Sequence, residues 1–358
     1  MGPRVMVMAG GTGGHVFPAL AVAEELRMRG MDVFWLGNPD GFEARVVPGH
    51  GFSMEHVSVH GLRGNGVLRW LAAPFNLSIA MLQVLIVLLK TRPRLVLGMG
   101  GFVSGPGGLL ARVLGIPLVI HEQNAVPGLT NRWLARWASK VAEAFPGSFE
   151  ASRRARLTGN PVRPDIAALE APALRMAGRT GRLRLLVLGG SLGAQALNDT
   201  LPGALALLQP DRRPLVQHQA GKDKVETTTR GYLEVGVEAD IKPFIENMAA
   251  AYAWADLLIC RAGALTIAEV AAAGVAAILV PYPHAVDDHQ TKNARYLVNG
   301  GAALLLPQSE MDAERLAGLL ETFIDAREKT VQMAMAARKL ALPEATLRVA
   351  ELCEEVTR

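Results

Sequence analysis

The segment VMVMAGGTGGHVFPA (Val5–Ala19) runs from a short apolar stretch, through a turn with four glycines, into a pattern of helical type. The order of strand, glycine turn and helix is typical of the beginning of a βαβ unit. Along the rest of the chain, short runs of Val, Leu and Ile alternate with longer patterns rich in Ala and Leu. Because parallel strands joined by crossover helices produce this alternation, the sequence predicts an α/β fold.

The two halves of the chain follow the same plan. The segment RLLVLGGSLG (Arg184–Gly193) again has an apolar run, a glycine pair, a hydroxyl residue and a further glycine. We therefore predict a doubly wound parallel sheet in each half. The predicted strands lie near residues 4–9, 32–37, 95–98 and 117–121 in the first half, and near 182–188, 215–219, 256–260 and 277–280 in the second.

The segment GNPVRPD (Gly159–Asp165) has two prolines and no apolar periodicity, so we interpret it as a linker between domains. The expected domains cover residues 1–160 and 165–340. A helical pattern follows within residues 343–358, and its periodicity leaves open the domain on which it packs.

Composition excludes several classes of protein. The 358 residues are enough for two domains that each bury a core. Half of the residues are hydrophobic and a fifth are charged, which excludes a disordered chain. The two cysteines lack the spacing of a structural zinc site, and a net charge of +4 does not support nucleic-acid binding.

The run from Trp70 to Leu89 contains no charge and has the length of a membrane span. It also contains Pro74 and several polar residues, and it leads directly into the strand predicted at residues 95–98. We therefore predict a crossover helix rather than a transmembrane segment.

Charge is distributed unevenly around this run. Between His56 and Ala142 the only acidic residue is Glu122. A basic rim around apolar side chains suits the anionic surface of a membrane, although a buried helix with solvated basic flanks explains the same pattern. The predicted membrane contacts are Arg69, Trp70, Leu71 and Phe75. The basic residues of the stretch are Arg63, Arg69, Lys90, Arg92, Arg94, Arg112, Arg132, Arg136 and Lys140.

Glycine-rich turns at predicted strand ends suggest anion binding. In AGGTGGHVFPA (Ala9–Ala19), unpaired backbone N–H groups and the positive end of a helix face the same point. The turn lacks the lysine of a P-loop, and its glycine spacing differs from the dinucleotide fingerprint. A second turn, GMGGFVSGPGG (Gly98–Gly108), ends another strand of the same sheet. Two anion-binding turns at one edge predict a diphosphate ligand.

The second half has two similar turns, GGSLGAQALN (Gly189–Asn198) and CRAGALTIAEVAAAG (Cys260–Gly274). In the latter, Glu269 is placed to accept the two hydroxyls of a ribose, although an ordinary surface glutamate fits its spacing equally well.

Few residues are candidates for acid–base chemistry. His15 follows the first glycine turn and is a candidate base, or else a packing histidine. Glu122, in the segment HEQN (His121–Asn124), is either an ion-pair partner or a substrate ligand. The histidines and aspartates between residues 284 and 289 lack a known ligand pattern, so we predict no metal site.

Eight segments together carry a resemblance to a known family: AGGTGGHVFPA, GLRG, LGMGGFVSGPGG, HEQN, GNPVR, LGGSLGA, RAGALTIAE and HQTKNA. Their order and spacing resemble the MurG family of N-acetylglucosaminyltransferases of bacterial peptidoglycan synthesis, over essentially the whole chain. The resemblance implies a GT-B fold, which has two Rossmann-like domains with a cleft between them. It also implies that the final helix crosses back onto the N-terminal domain.

The implied activity is the inverting transfer of N-acetylglucosamine from UDP-N-acetylglucosamine to the undecaprenyl-diphosphate-linked N-acetylmuramyl-pentapeptide, which converts lipid I to lipid II. The nucleotide sugar is a substrate, so no cofactor is expected. The resemblance also implies a peripheral protein at the cytoplasmic face of the inner membrane, with other cell-wall synthesis proteins as partners and a role in cell division and cell shape.

The resemblance assigns roles to individual residues. His15, our expected base, and Glu122, a second expected catalytic residue, are inferred from their own positions in the sequence rather than from the resemblance. In donor binding, Ile245 contacts uracil through its backbone, and either His289 or Gln290 reaches the transferred sugar. The other expected donor contacts are Thr12, Gly13, Gly14, Asn124, Arg163, Ser191, Ala264, Leu265, Thr266, Ile267, Ala268 and Glu269. The expected contacts to the acceptor diphosphate are Gly10, Gly11, Gly100, Gly101, Ser104 and Gly105.

Three other functions remain as alternatives. One is a GT-B transferase acting on a different lipid, such as a diacylglycerol glycosyltransferase, which acceptor assays would distinguish. Another is a membrane-associated nucleotide-binding protein without turnover. A dehydrogenase is disfavoured because no acidic residue of the first unit is placed to bind the ribose of a dinucleotide.

Overall fold

The chain forms two compact units in the computed structural model. The N-terminal unit contains Met1–Val162 together with Leu342–Arg358, and the C-terminal unit contains Arg163–Ala341. The structure describes residues 2–58, 67–190 and 193–357, with the backbone alone for residues 67–74. The segment GLRG and Ser191 therefore lie outside the described residues, as do the side chains of Arg69, Trp70 and Leu71.

A parallel sheet of seven strands forms the centre of the N-terminal unit, in the order β3-β2-β1-β4-β5-β6-β7. The strands are β1 (Arg4–Met8), β2 (Asp32–Gly37), β3 (Ser53–His56), β4 (Leu95–Gly98), β5 (Leu118–Glu122), β6 (Lys140–Glu143) and β7 (Arg156–Leu157). The helices between them are α1 (Gly13–Met28), α2 (Phe42–Val46), α3 (Val67–Thr91), α4 (Ser104–Val113) and α5 (Leu129–Leu134).

The C-terminal unit has a six-stranded parallel sheet, in the order β10-β9-β8-β11-β12-β13. The strands are β8 (Arg184–Leu188), β9 (Leu215–Gln219), β10 (Asp240–Lys242), β11 (Leu257–Cys260), β12 (Ala276–Leu279) and β13 (Ala303–Leu305). The helices are α6 (Pro164–Ala167), α7 (Pro172–Arg175), α8 (Gln195–Ala206), α9 (Val225–Glu234), α10 (Met248–Trp254), α11 (Ala264–Ala273), α12 (His289–Asn299), α13 (Ala313–Asp325) and α14 (Arg327–Lys339).

Both sheets have the predicted doubly wound parallel topology. All eight predicted strands are present, with ends shifted by at most two residues. Alternate residues of each central strand enter opposite cores. In β1, Val5 and Val7 pack on the side of α1, whereas Met6 and Met8 pack on the side of α3. Because both faces of such strands are buried, they appear in the sequence as continuous apolar runs.

The last helix, α15 (Ala345–Glu355), belongs to the N-terminal unit. Its Val349, Leu352 and Cys353 are buried in the same core as α1 and β1. Ion pairs flank this contact, one of which joins Arg29 to Glu354 at 3.1 Å.

Helix α3 follows the crossover path that the sequence predicts, since it leads into β4. Within the described ranges, no helix is both long enough and apolar enough to cross a bilayer. From Phe75 onward, α3 buries Ala80, Val84 and Leu88 against the sheet. Its other side carries a stripe of exposed apolar residues, formed by Phe75, Ile79, Leu82, Ile86 and Leu89.

The stability of the protein should depend on pH through two buried histidines. Burial lowers the pKa of His121, in the N-terminal unit, and of His218, in the C-terminal unit, to about 4. Between that value and the ordinary pKa of about 6.5, the unfolded chain binds protons that the folded protein excludes. The free energy of unfolding should therefore fall by about 2 kcal/mol per histidine between about pH 7.5 and about pH 5.

Urea unfolding at the two pH values measures this effect. In His218→Gln the contribution of His218 should disappear, so stability should depend less on pH even if the variant is less stable throughout. A His50→Gln variant is the control because this histidine is exposed. Equal pH dependence in the wild type and His218→Gln would contradict the prediction.

Candidate active site

The two glycine turns of the N-terminal unit contact each other at the carboxyl ends of β1 and β4, which are adjacent strands. The φ angle of Gly101 is +89°, and a Cβ atom there would lie 2.7 Å from the Gly10 carbonyl oxygen. Only glycine allows both this backbone conformation and this approach. The structure thus brings together the two turns that the sequence assigned to one diphosphate.

His15 lies in the first turn of α1 and contacts the second glycine turn. Gly100 has a φ angle of +101°, and a Cβ atom there would lie 2.6 Å from Cδ2 of the His15 ring. The side chain is half-buried. The imidazole is therefore positioned at the junction of the two turns, held there by a glycine that leaves room for it.

Glu43 organises the first turn, and sequence reasoning missed it. This carboxylate is only 2% exposed, and it accepts hydrogen bonds from the backbone N–H groups of Gly11 (3.1 Å) and Asn38 (2.9 Å). The absence of a side chain at Gly10 and Gly41 makes room for it, because a Cβ atom at either would approach its oxygen within 2.6 Å. A lone glutamate in a short helix carries no sequence signal of this contact.

Replacing Glu43 with glutamine should loosen the first glycine turn. A glutamine amide has only one acceptor oxygen, so one of the two N–H groups would face an NH₂ group instead. The free energy of unfolding should fall by about 1–3 kcal/mol, the usual result of leaving a buried donor unpaired. Turnover should fall as well, whereas the affinity for UDP, which we assign to the other unit, should not change.

Chemical denaturation and steady-state kinetics measure these two effects. Glu24→Gln is the control, since this half-exposed glutamate forms its ion pair only with His50 among the described residues. Wild-type turnover in Glu43→Gln would show that the turn does not depend on this carboxylate.

Glu122 has a positioning role in the structure rather than the direct catalytic role that we expected. It is 2% exposed, and its carboxylate accepts four hydrogen bonds, which is its full capacity. One oxygen accepts from the backbone and side-chain N–H groups of Asn124, at 2.9 and 3.2 Å. The other accepts from Gly128 (3.1 Å) and Asn131 (2.9 Å). No acceptor position is left for a substrate proton, and the effect of Glu122 is to orient Asn124.

The other residues of the HEQN segment join the second glycine turn to the linker. The side-chain amide of Gln123 donates to the backbone carbonyl oxygen of Met99 at 2.7 Å. The backbone carbonyl oxygen of Gln123 accepts from the side-chain amide of Asn160 at 3.0 Å. The ring Nε2 of His121 lies 2.9 Å from the Gly159 carbonyl oxygen. Burial is the main cause of the low pKa of His121, and the nearby His15 lowers it further. His121 is therefore a neutral structural donor.

The expectation for Ser104 needs correction. Its side chain is fully buried, and its hydroxyl donates to the carbonyl of Gly100 at 3.0 Å. It therefore holds the second turn from inside and cannot meet a diphosphate. The neighbouring Phe102, which the sequence analysis did not single out, is 59% exposed at the same turn. Gly105 remains partly accessible in the first turn of α4.

Helix α11 begins directly after the second glycine turn of the C-terminal unit, with Gly263 as its N-cap. Its first intrahelical bond runs from the N–H of Ile267 to the carbonyl of Gly263, at 2.9 Å. Ile267 is also fully buried, so neither its side chain nor its amide can bind a ligand, which corrects the expectation for this residue. Backbone contacts to a phosphate would come from the preceding positions, Ala264, Leu265 and Thr266.

Glu269 and Arg163, both predicted to bind the donor, are in direct contact. Their ion pair measures 3.2 Å, and Tyr252 donates to the second Glu269 oxygen at 3.0 Å. Glu269 is 7% exposed, and burial raises its pKa, while Arg163 and the Tyr252 hydroxyl act in the opposite direction. Arg163 and Tyr252 thus fix the orientation of both oxygens of this carboxylate, which lies in the helix that follows the glycine turn.

Ile245 is buried, and its N–H donates to the side-chain oxygen of Gln219 at 3.0 Å. Its carbonyl oxygen is then the backbone group left for a uracil ring. His289 and Gln290 begin α12. The Gln290 oxygen accepts from the N–H of Tyr282 at 2.9 Å, and the His289 ring contacts the Val286 carbonyl at 2.7 Å.

The histidines and aspartates near residue 284 do not gather around one point. Asp288 accepts from the Thr291 hydroxyl at 2.6 Å, and the His284 ring packs edge-on against Tyr282. Within the described part of the chain, no group of three or more His, Cys, Asp or Glu side chains has the geometry of a metal site.

Two successive family models match the chain. Residues 5–143 match the glycosyltransferase family 28 N-terminal domain, and residues 184–349 match the glycosyltransferase family 28 C-terminal domain. With a parallel sheet and glycine turns in each unit, the protein is a glycosyltransferase of the GT-B fold. This class confirms the fold predicted from the sequence.

Close relatives specify the family further. The chain is 53% identical, over the full length of both proteins, to UDP-N-acetylglucosamine–N-acetylmuramyl-(pentapeptide) pyrophosphoryl-undecaprenol N-acetylglucosamine transferase of Dechloromonas aromatica. It is 55% identical to the Aromatoleum aromaticum transferase of that name, covering 98% of this chain and 97% of the relative. The crystal structure of Acinetobacter baumannii MurG superposes with a TM-score of 0.87 at 45% identity, covering 99% of both chains. The chain belongs to the MurG family.

Proposed function

We propose that the protein transfers N-acetylglucosamine from UDP-N-acetylglucosamine to the N-acetylmuramyl-pentapeptide carried on pyrophosphoryl-undecaprenol. The product is lipid II, the disaccharide-peptide precursor of peptidoglycan. The observation that carries the proposal is the contact between the two glycine turns, with His15 against Gly100 at their junction. That arrangement supports the proposal, because an acceptor with a hydroxyl and a diphosphate needs a base next to anion-binding groups in one unit.

The reaction is a single displacement with inversion. The acceptor hydroxyl attacks the anomeric carbon of N-acetylglucosamine, the new glycosidic bond forms, and the bond to the diphosphate of UDP breaks. His15 takes the proton of the attacking hydroxyl. The acceptor diphosphate lies on Gly10, Gly11, Gly100, Gly101 and Gly105, whose backbone groups surround the junction.

The donor binds to the C-terminal unit. Arg163 stabilises the negative charge that develops on the departing diphosphate, together with the N-terminal end of α11. Glu269 accepts the ribose hydroxyls, and the carbonyl of Ile245 accepts from the N–H of uracil. We assign the transferred sugar to Gln290, while contacts from Thr12, Gly13, Gly14, Asn124, Ser191, Ala268 and His289 stay predictions from the family resemblance.

No bound cofactor has a step in this mechanism, because the nucleotide is itself the leaving group. Charge stabilisation is assigned to Arg163 and α11 rather than to a divalent ion. We therefore propose that turnover persists after treatment of the protein with a chelator.

We propose that the protein works at the cytoplasmic face of the inner membrane, as a peripheral protein that meets its lipid-linked acceptor there. The stripe of α3 supports this proposal. Phe75 is 69% exposed, and Leu82, Ile86 and Leu89 are each more than half exposed. Basic residues follow the stripe in sequence, at Lys90, Arg92 and Arg94. Lys90 pairs with Glu55 at 2.9 Å, and the two arginines would meet anionic lipid headgroups. Partners among the cell-wall synthesis proteins, and a role in cell division and cell shape, belong to the same proposal.

Replacing Leu82 and Ile86 with glutamate should weaken binding to anionic vesicles by about tenfold or more, because it places two charges on the apolar stripe. Vesicle flotation measures the binding. A matched variant, Leu174→Glu with Leu207→Glu, changes two exposed leucines of the C-terminal unit. Equal vesicle binding by the stripe variant and this control would contradict the membrane assignment.

A UDP-release assay tests the function as a whole. The protein is incubated with UDP-N-acetylglucosamine and a lipid-linked muramyl-pentapeptide, and each substrate is left out in turn. Release of UDP only when both are present, with formation of the disaccharide product, is the expected result. Transfer to diacylglycerol would replace the proposal with a diacylglycerol glycosyltransferase, and no UDP release would replace it with a nucleotide-binding protein without turnover.

A further inference from the structure

A second group of cationic side chains lies at the opposite edge of the N-terminal sheet. The glycine turns follow the carboxyl ends of β1 and β4, whereas Lys140 is the first residue of β6 and thus lies at its amino end. Here Lys140, Arg153, Arg154 and Arg156 line an open pocket of about 490 Å³. We call it the basic pocket. Its volume is within the range of small-molecule sites.

The charge of the basic pocket is only partly neutralised. Glu355, at the end of α15, pairs with Lys140 at 2.7 Å and with Arg156 at 2.5 Å. Through these bonds the two cations lower the pKa of Glu355 to about 2, so the carboxylate stays charged. Within the described ranges, Arg153 and Arg154 form no ion pair. Four cations therefore face one carboxylate.

The backbone at Arg154 has a left-handed conformation that is uncommon for arginine. Its φ and ψ angles are 51° and 38°, and it ends a short 3₁₀ helix, Ala151–Arg153. A left-handed residue at such a position is usually glycine or asparagine, which adopt it at lower cost. Strained conformations of this kind are concentrated at ligand sites. An arginine here keeps a third guanidinium at the pocket despite the less favourable backbone.

The ligand that fits these groups contains phosphate. Guanidinium groups present parallel N–H donors that match phosphate oxygens, and clustered arginines are common where phosphate is recognised. We propose that the basic pocket binds a phosphate group, separately from the acceptor and donor sites.

The same chemistry can come from a phospholipid headgroup or from a soluble phosphate compound. Trp133 and Trp137 form an edge-to-face pair, with 5.0 Å between ring centroids, immediately before the first lining residue, Ala138. They are 51% and 37% exposed. Half-exposed tryptophans are common where a protein meets a membrane interface, so the test includes a lipid arm.

The experiment uses two variants of the full chain and two probes. Arg153→Ala with Arg154→Ala removes the unpaired cations. Arg154→Gly removes one cation while relieving the backbone, so it should be at least as stable as the wild type and still bind more weakly. The probes are sodium pyrophosphate, titrated by calorimetry with UDP in excess, and phosphatidylcholine vesicles with or without phosphatidylglycerol.

We expect the double variant to lose at least tenfold in affinity for one probe or both, with unchanged turnover in detergent. Loss on vesicles alone identifies a lipid headgroup, and loss of a pyrophosphate site identifies a soluble phosphate. The charge-matched control is Arg230→Ala with Arg315→Ala, on the C-terminal unit. Wild-type binding of both probes by the double variant, or an equal loss in the control, would overturn the proposal. The glycine turns are intact in the wild type and in both variants, so pyrophosphate bound there contributes equally to each titration and only the difference between the proteins is read.

Discussion

Replacing His15 with alanine is expected to lower kcat by about 10² or more, while the affinity for UDP stays close to that of the wild type. A base that removes the proton of the attacking hydroxyl contributes in this range, and 10² corresponds to about 2.7 kcal/mol of the activation free energy. His15 contacts Gly100 in the N-terminal unit, whereas the residues assigned to UDP belong to the C-terminal unit. The loss should therefore appear in kcat rather than in donor affinity.

Steady-state kinetics at saturating concentrations of both substrates, together with calorimetric titration of UDP, separate these two quantities. His50→Ala is the matched control, because this histidine belongs to the same unit but is exposed and paired with Glu24. Unchanged turnover in His15→Ala would remove His15 from the mechanism, and base catalysis would have to be assigned elsewhere.

Replacing Glu269 with alanine should weaken UDP binding by about tenfold or more. The variant loses the carboxylate assigned to the ribose hydroxyls, and a hydrogen bond to a charged group contributes about 1.5–3 kcal/mol. It also releases Arg163 and leaves the buried Tyr252 hydroxyl without its acceptor. Both the ribose contact and the orientation of the diphosphate contact should be lost together.

Calorimetry with UDP and with uridine tests this assignment, because uridine keeps the ribose but lacks the diphosphate. Both ligands should bind more weakly to Glu269→Ala, whereas Arg163→Ala should weaken the binding of UDP more than that of uridine, which lacks the diphosphate assigned to Arg163. Glu226→Ala is the control, since its glutamate pairs only with the exposed Arg230 among the described residues. Wild-type affinity of Glu269→Ala for UDP would contradict the ribose assignment.

Four of the five strands that sequence analysis missed have few buried residues. All eight predicted strands lie towards the middle of the sheets, where most residues of each strand are buried and most of the segments are rich in apolar residues. The missed strands are β3, β6, β7, β10 and β13, which lie at the sheet edges or, for β6, next to one. Segments such as SMEH in β3 and DIK in β10 bury only part of their surface. Their pairing depends on the neighbouring strand rather than on their own composition.

The candidate site divides in the same way. The positions of the glycine turns followed from the sequence, because a strand, a turn with left-handed residues and a helix are set by local conformational preferences. The direction in which each polar side chain faces did not follow. Ser104 and Ile267 lie inside such turns, yet they point into the core, since helix geometry and packing place them there.

Local sequence was therefore enough to specify the central strands and the glycine turns, because each depends on residues within a few positions of one another. The order of such segments along the whole chain was enough to specify the class of fold and the family. Long-range packing determined which carboxylates form hydrogen bonds and ion pairs inside the protein. Glu43 reaches back 32 residues to Gly11, and Glu269 pairs with Arg163 across 106 residues. A hydrogen bond depends on distance in space, and two residues far apart in the chain acquire that distance only when the sheets have formed.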